Sequence, residues 1–247
     1  MTTDKEGIAT LDRIPHGTKV TITEKSVPAP YTIDTTPMIA TIKAGETISV
    51  TSKNTREKGQ IILDKTGVET GSDLWNDNYS LVGNTFAIRK DSPTGEIVQE
   101  MTTDENGHAE TPKEIANALD LGTYYVTETK ASNGFVNTFK PVKVELKYAS
   151  QTVALVTNNV KGQNQEITGE TTLTKEDKDT GDKTQGKAVF ECAEYTLFTA
   201  KDGKVVKWTE DFKPELVKGT KASDETVTLT LDEKNQVAVK HLAINDY

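Results

Sequence analysis

The sequence predicts an all-β chain of tandem Ig-like antiparallel β-sandwich domains. Three observations lead there. Short runs of apolar residues alternate with polar ones at the strand period of two. Gly-, Asn- and Pro-bearing turns separate those runs. Phrases recur at offsets near a hundred residues, about the size of one small domain.

The middle of the chain carries the pattern in full. Ile61, Leu63 and Lys65 alternate onto one face of a first strand. Phe86 and Ile88 mark a second, closed by the turn Ser92-Pro93-Thr94-Gly95, and Glu105-Asn106-Gly107 marks the next reversal. Thr111-Pro112-Lys113-Glu114 has the form of a capping box with Pro at the first helical position, which predicts a helical insert folding Ile115, Ala118 and Leu119 onto the sheets. In Gly122 to Gly134, GTYYVTETKASNG, the residues Tyr124, Val126 and Glu128 share a face, and Ser132-Asn133-Gly134 turns the chain. Val142, Val144 and Leu146 give a further strand. In the last, around Val153 and Leu155, alternation places Asn158 behind Ala154 and Val156.

Repeats extend this pattern to both ends. Met1 to Gly7 (MTTDKEG) matches Met101 to Gly107 (MTTDENG), and Gly17 to Lys25 (GTKVTITEK) matches the Gly122 phrase, with Glu24 in the place of Glu128. Asn54 follows Glu24 by 54 − 24 = 30 residues, as Asn158 follows Glu128 by 158 − 128 = 30. Gly59 to Lys65 (GQIILDK) resembles Gly169 to Lys175 (GETTLTK), and Gly83 to Arg89 resembles Cys192 to Phe198. These matches divide the chain into the C-terminal half of one domain at 1–57, a complete domain at 58–161 and the N-terminal part of a third at 162–247. Polar segments without period, Thr55 to Gly59 and Lys161 to Thr168, separate them.

Composition narrows the function. Of 247 residues 38 are acidic and 29 basic, a net charge of -9, with no basic cluster, which argues against nucleic acid or an anionic membrane as partner. No run of apolar residues is long enough to span a bilayer, and Met1-Thr2-Thr3-Asp4-Lys5-Glu6 has no apolar leader. A single Cys rules out a disulfide framework within the chain, so an extracellular version needs another clamp.

One is available. A Lys and a Glu on a core face are costly to bury charged. Burial drives the amine toward its neutral, nucleophilic form and keeps the carboxyl protonated. If the first and last strands lie side by side, Lys65 comes beside Asn158 with Glu128 across from both. Lys65 Nζ can then attack the Asn158 side-chain carbonyl while Glu128 moves protons and ammonia leaves. Asn159, the rival acceptor, falls on the opposite face.

Lys in the first strand, the phrase YYVTETKASNGF and an Asn after VALVT resemble the Cna B-type repeat of Gram-positive collagen adhesins and pilins, over nearly the whole chain. The resemblance implies reversed Ig-like topology, secretion, wall anchoring and a self-catalysed isopeptide crosslink, with no cofactor and no metal. The family's Lys, Glu and Asn fall on Lys65, Glu128 and Asn158. The chain has no sorting signal or convincing polymerisation motif, so wall anchoring rests on kinship alone.

The function expected is a mechanical stalk or shaft segment of a surface adhesin or pilus-like protein, not an enzyme on a separate substrate. Its partners are neighbouring domains. A module gripping host matrix protein or glycan is the alternative. In the partial copies Glu24, Asn54 and Lys175 are the equivalent residues, and head-to-tail pairing of a Lys175 strand with Glu24 and Asn54 of another chain would complete a sandwich. Asp177, Asp179 and Asp182 imitate the start of a calcium loop, but Gly181 comes one place early and Ala188 stands where a Glu is needed, so a polar turn is expected. His16, His108 and His241 assemble no metal site, Cys192 reads as a buried small residue, and Trp75, Trp208, Phe135 and Tyr148 read as core.

Overall fold

A computed structural model describes residues 1–190, 193–201, 204–206, 215–216, 221–222, 226–231 and 235–244. Cys192 and Trp208 lie outside the described residues. Their expected burial is therefore left aside.

The strands in chain order are β1 (Lys19–Ile22), β2 (Met38–Thr41), β3 (Lys58–Gly67), β4 (Thr85–Lys90), β5 (Ile97–Thr102), β6 (His108–Glu110), β7 (Leu119–Asp120), β8 (Gly122–Lys130), β9 (Phe135–Val136), β10 (Val142–Leu146) and β11 (Leu155–Glu166). Then follow β12 (Thr168–Thr174), β13 (Glu194–Lys201), β14 (Lys204–Val206), β15 (Glu215–Leu216), β16 (Lys221–Ala222), β17 (Thr226–Thr230) and β18 (Gln236–Ala243). Two compact units emerge. The first comprises Met1–Gln60, Pro112–Thr123 and Glu145–Asn158; the second comprises Ile61–Thr111, Tyr124–Val144 and Asn159–Tyr247.

Two sheets frame the complete copy. One has the order β10-β8-β4-β5, the other β6-β3-β11-β9, with β7 also on β3. Strand β4 pairs antiparallel with β5 and β8, β3 with β6 and β7, and β11 with β9. Alternation decides which side chains turn inward. Ile61 and Leu63 on β3, Phe86 and Ile88 on β4, and Val126 on β8 are fully buried, each contributing about 1.5–3 kcal/mol of apolar transfer. On β11, Val160, Gly162, Asn164 and Glu166 are buried while the odd-numbered residues between them are not. That strand runs on to Glu166, past the expected domain boundary at 161.

The expected helical insert is absent. Residues 114–118 form a turn, with Asn117 N and Ala118 N both donating to Glu114 O. The reason lies at Thr111, whose hydroxyl accepts from Ile61 N (3.0 Å) and whose N–H donates to Ile61 O (2.9 Å). The residue that would cap a helix is held by the sheet, and Leu119 is drawn into pairing with Gly59. Ala118 and Leu119 are nevertheless buried.

In the first unit, β1 and β2 form a hairpin with Ile22 opposite Met38 and Lys19 opposite Thr41. None of residues 1–56 is buried, and Ile8, Leu11 and Ile39 are 61%, 65% and 58% exposed. In the second unit, β12, β18 and β15 form a sheet whose residues Val237, Val239, Leu242 and Ala243 share a core cluster with Tyr79, Leu81 and Phe135. Trp75 packs edge-on to Tyr79 at 5.3 Å, and Tyr79 to Phe135 at 5.8 Å, so these aromatics serve the core as expected. The Asp177 segment is a turn, closed by backbone hydrogen bonds between Asp177 and Gly181 and by the Asp177 carboxylate accepting from Asp179 N and Thr180 N.

Candidate functional site: a lysine, a glutamate and an asparagine between two sheets

Lys65 lies on β3 with Ile61 and Leu63, and only 1% of it is exposed. Burial holds its ammonium pKa down to about 8, against the opposing pull of the Glu128 and Glu166 carboxylates. Its amine reaches no closer hydrogen-bond acceptor than Thr66 O at 3.4 Å. Across the sandwich, Glu128 ends the row begun by Tyr124 and Val126 on β8, opposite Phe86 of β4. Burial raises its pKa, while the hydrogen bond from Asn164 and the charge of Lys65 work against that rise.

The partner of Glu128 is Asn164. Its Nδ2 donates to both carboxylate oxygens, at 2.8 and 2.9 Å, and its Oδ1 accepts from Thr138 N at 3.1 Å. The amide is therefore oriented at both ends, and the residue is 1% exposed. Asn158, the acceptor expected from the sequence, sits on the same face of β11. Six positions separate the two, roughly 20 Å at the rise of a strand. Asn158 thus shares the inward face, but the rung that meets Glu128 is that of Asn164.

A usable signal was present in the repeats. Gly59 and Lys65 match Gly169 and Lys175 at an offset of 169 − 59 = 175 − 65 = 110, and applying it to Asn54 gives 54 + 110 = 164. The offset of 104 taken from Glu24 and Glu128 led instead to Asn158. Six extra residues lie between Glu and Asn in the middle copy.

Two further groups shape the site. Glu166, buried at 3% exposure, accepts from Glu69 N, Thr70 N (2.9 Å) and the Thr70 hydroxyl (2.8 Å). This keeps its charge near Lys65 but its oxygens engaged. Gly162 makes room, since a Cβ there would stand 2.5 Å from the Phe139 ring and 3.3 Å from Lys65 Cδ. Phe139 in turn meets Phe86 edge-on at 5.3 Å. An amine inclined to neutrality, an oriented carboxamide and a carboxyl inclined to hold its proton are the components of an amide exchange.

The first unit holds a reduced version. Glu24 Oε2 accepts from Asn54 Nδ2 at 2.6 Å and from Asp34 N at 2.8 Å, and Asn54 Nδ2 also donates to Thr32 O at 3.0 Å. Both residues are half-buried, so the sequence pairing of Glu24 with Asn54 is met in space. Lys175, just after β12, is half-buried, and its N–H donates to Asn235 O at 3.0 Å. His108 lies against Asp64 and His241 against Glu69; no group of metal-ligating side chains forms among the described residues.

Comparison with known proteins gives the family. The model of the SpaA prealbumin-like fold domain matches residues 1–56 and again 59–161. The chain belongs to that family. The two matches fall on the repeat units that carry Glu24 with Asn54 and Lys65 with Glu128. The Bacillus anthracis TIE protein is similar in structure, with a TM-score of 0.62 and 26% identity over 96% of this chain and 36% of its own. Lower-scoring matches are BcpA, the major pilin subunit of Bacillus cereus (TM-score 0.35, 19% identity, 74% of this chain and 58% of that one), and the shaft pilin spaA from Lactobacillus rhamnosus GG (0.31, 20%, 75% and 83%). The chain spans about a third of the length of the TIE protein. No curated protein matches the sequence. No described helix is long and apolar enough to cross a membrane.

Proposed function

We propose that this chain is a structural segment of a Gram-positive surface protein, a stalk or pilus-like shaft, whose middle sandwich crosslinks itself between Lys65 and Asn164. The observation that carries the reading is the carboxamide of Asn164 held by both oxygens of Glu128 beside a fully buried Lys65. Neutral Lys65 Nζ attacks Asn164 Cγ, Glu128 passes a proton toward the departing nitrogen, the Cγ–Nδ2 bond breaks and ammonia leaves. The product is an amide between adjacent strands β3 and β11.

Membership in the SpaA prealbumin-like family supports the structural role, and two family matches in series suit a load-bearing array. A covalent tie between neighbouring strands carries tension that hydrogen bonds alone would release. It also supplies what one cysteine cannot. Surface display and wall attachment follow the same reading, as does the absence of any reaction on a separate substrate.

Intact-mass measurement tests it. The purified chain is expected to weigh one ammonia less than its sequence, with fragment ions joining Lys65 to Asn164, and Glu128→Gln is expected to restore the full mass. A full-mass native chain would overturn the reading.

A further inference from the structure

Three consecutive residues, Asn137, Thr138 and Phe139, each meet a different part of the site. Strand β9 ends at Val136, which pairs with Gln165, so that ladder stops one step short of Asn164. The backbone N–H of Thr138, released from the ladder, donates instead to the Asn164 side-chain Oδ1 at 3.1 Å. The Thr138 hydroxyl accepts from Gln165 N at 3.1 Å, which ties Thr138 to the residue after the asparagine. On one side Asn137 Nδ2 donates to Glu128 O at 3.2 Å. On the other the Phe139 ring and the Lys65 stem both lie over Gly162, where a Cβ would stand 2.5 and 3.3 Å from them. The Thr138 N–H is therefore fixed in place from both flanks.

The carboxamide of Asn164 is held by a different group at each end. Glu128 takes the nitrogen end, its two oxygens accepting from Nδ2 at 2.8 and 2.9 Å. That position suits delivery of a proton to the departing nitrogen and leaves the carbonyl oxygen to another donor. Attack by an amine drives the carbonyl π pair onto that oxygen, and an anion forming on a residue only 1% exposed needs a preorganised donor. A hydrogen bond to an anion is stronger than one to a neutral carbonyl, so the bond from Thr138 gains strength as the transition state is approached.

We infer that Thr138 is a catalytic residue of the crosslinking reaction, its backbone N–H being the oxyanion donor for the tetrahedral intermediate at Asn164 Cγ. The inference rests on the Lys65–Asn164 chemistry proposed above. Neutral Lys65 Nζ bonds to Cγ as the Cγ–Oδ1 π pair moves onto Oδ1, where the Thr138 N–H stabilises it. Glu128 passes a proton to Nδ2 and takes up the one that Nζ sheds. The pair on Oδ1 then re-forms the carbonyl, the Cγ–Nδ2 bond breaks and ammonia leaves. Selection of Asn164 follows as well, since its rung is where a carboxyl for the nitrogen and an N–H for the oxygen face opposite ends of one carboxamide.

The experiment follows whole chains made by cell-free translation, sampled for the loss of one ammonia against time. In one chain the α-hydroxy acid analogue of threonine replaces Thr138, which exchanges the N–H for an ester oxygen and keeps the side chain. Its crosslinking is expected to be slower by roughly 100- to 1,000-fold. It is still expected to reach completion, with fragment ions joining Lys65 to Asn164, and its rate to keep the native rise toward about pH 8, since Lys65 is untouched. Thr138→Ala retains the N–H and is expected to stay within roughly tenfold of the native rate, the cost of one hydrogen bond. An ester chain that crosslinks at the native rate, or never, would overturn the inference, as would one whose rate rises over a different pH range, the mark of a displaced Lys65. So would a Thr138→Ala chain as slow as the ester, which would place the effect in the hydroxyl's hold on Gln165. A native chain that keeps its full mass would instead strike the reading on which the inference rests.

Discussion

Replacing Asn164 by alanine separates the bond from everything else the fold supplies. The amide between residues 65 and 164 closes a loop of 164 − 65 = 99 residues. In the chain-entropy account of a crosslink, a loop of about 100 residues is worth about 4.7 kcal/mol through the unfolded state. The alanine also removes the side-chain oxygen that accepts from Thr138 N, and leaving that part-buried donor unpartnered costs about 1–3 kcal/mol more. At about 4–8 °C per kcal/mol for a domain of this size, the crosslink alone corresponds to a fall in Tm of about 20–35 °C. Glu128→Gln controls for packing, since it keeps the side-chain shape and removes the proton carrier. Intact mass and differential scanning calorimetry on the native chain, Asn164→Ala, Asn158→Ala and Glu128→Gln make the test. Asn164→Ala and Glu128→Gln are expected to regain the ammonia mass and to melt far lower, with Asn158→Ala unchanged in mass. An Asn164→Ala chain that still lacks one ammonia, or an Asn158→Ala chain that regains it, would refute the assignment.

Other outcomes follow from the same geometry. Gly162→Ala brings a methyl to 2.5 Å from the Phe139 ring and 3.3 Å from Lys65 Cδ, so crosslinking is expected to slow and the uncrosslinked fold to lose about 1–3 kcal/mol, read by mass against time after refolding. Crosslinking rate is expected to rise with pH toward about 8 as Lys65 loses its proton, and to fall beyond the point where Glu128 loses its own. In the uncrosslinked Asn164→Ala chain, Lys65 binds its proton less tightly folded than unfolded. Stability should therefore increase between about pH 8 and 10.5, by up to about 1.4 kcal/mol per pH unit, relative to the same chain carrying Lys65→Met. Glu166→Gln removes a charge that favours protonated Lys65, so the rising limb of the rate profile is expected to move to lower pH. Tyr79→Phe deletes a hydroxyl that donates to Ile167 O at 2.7 Å and accepts from Ile244 N at 2.9 Å, and proteolysis near residue 167 is expected to quicken.

The sequence by itself determined the all-β class and the inward faces of the strands, Lys65 and Glu128 among the residues on them. It could do so because strand periodicity is local: Ile61, Leu63 and Lys65 must share a face whatever the rest of the chain does, and so must Tyr124, Val126 and Glu128. Tertiary structure decided what depends on partners distant in sequence. Thr111 is bound to Ile61, and that engagement, absent from the local pattern, ties the first residue of the capping box to a strand of the sheet. Which asparagine meets Glu128 is a matter of rung. Asn158 and Asn164 obey the same alternation, and only the seating of β11 beside β3 and opposite β8 places one of them against Glu128. Equal Glu-to-Asn spacing in the two copies misled because that span contains loops, which gain residues at little cost. The span from each asparagine to the next lysine, 65 − 54 = 175 − 164 = 11, kept its length. In the middle copy it continues from β11 directly into β12, where one added residue would reverse every side chain that follows.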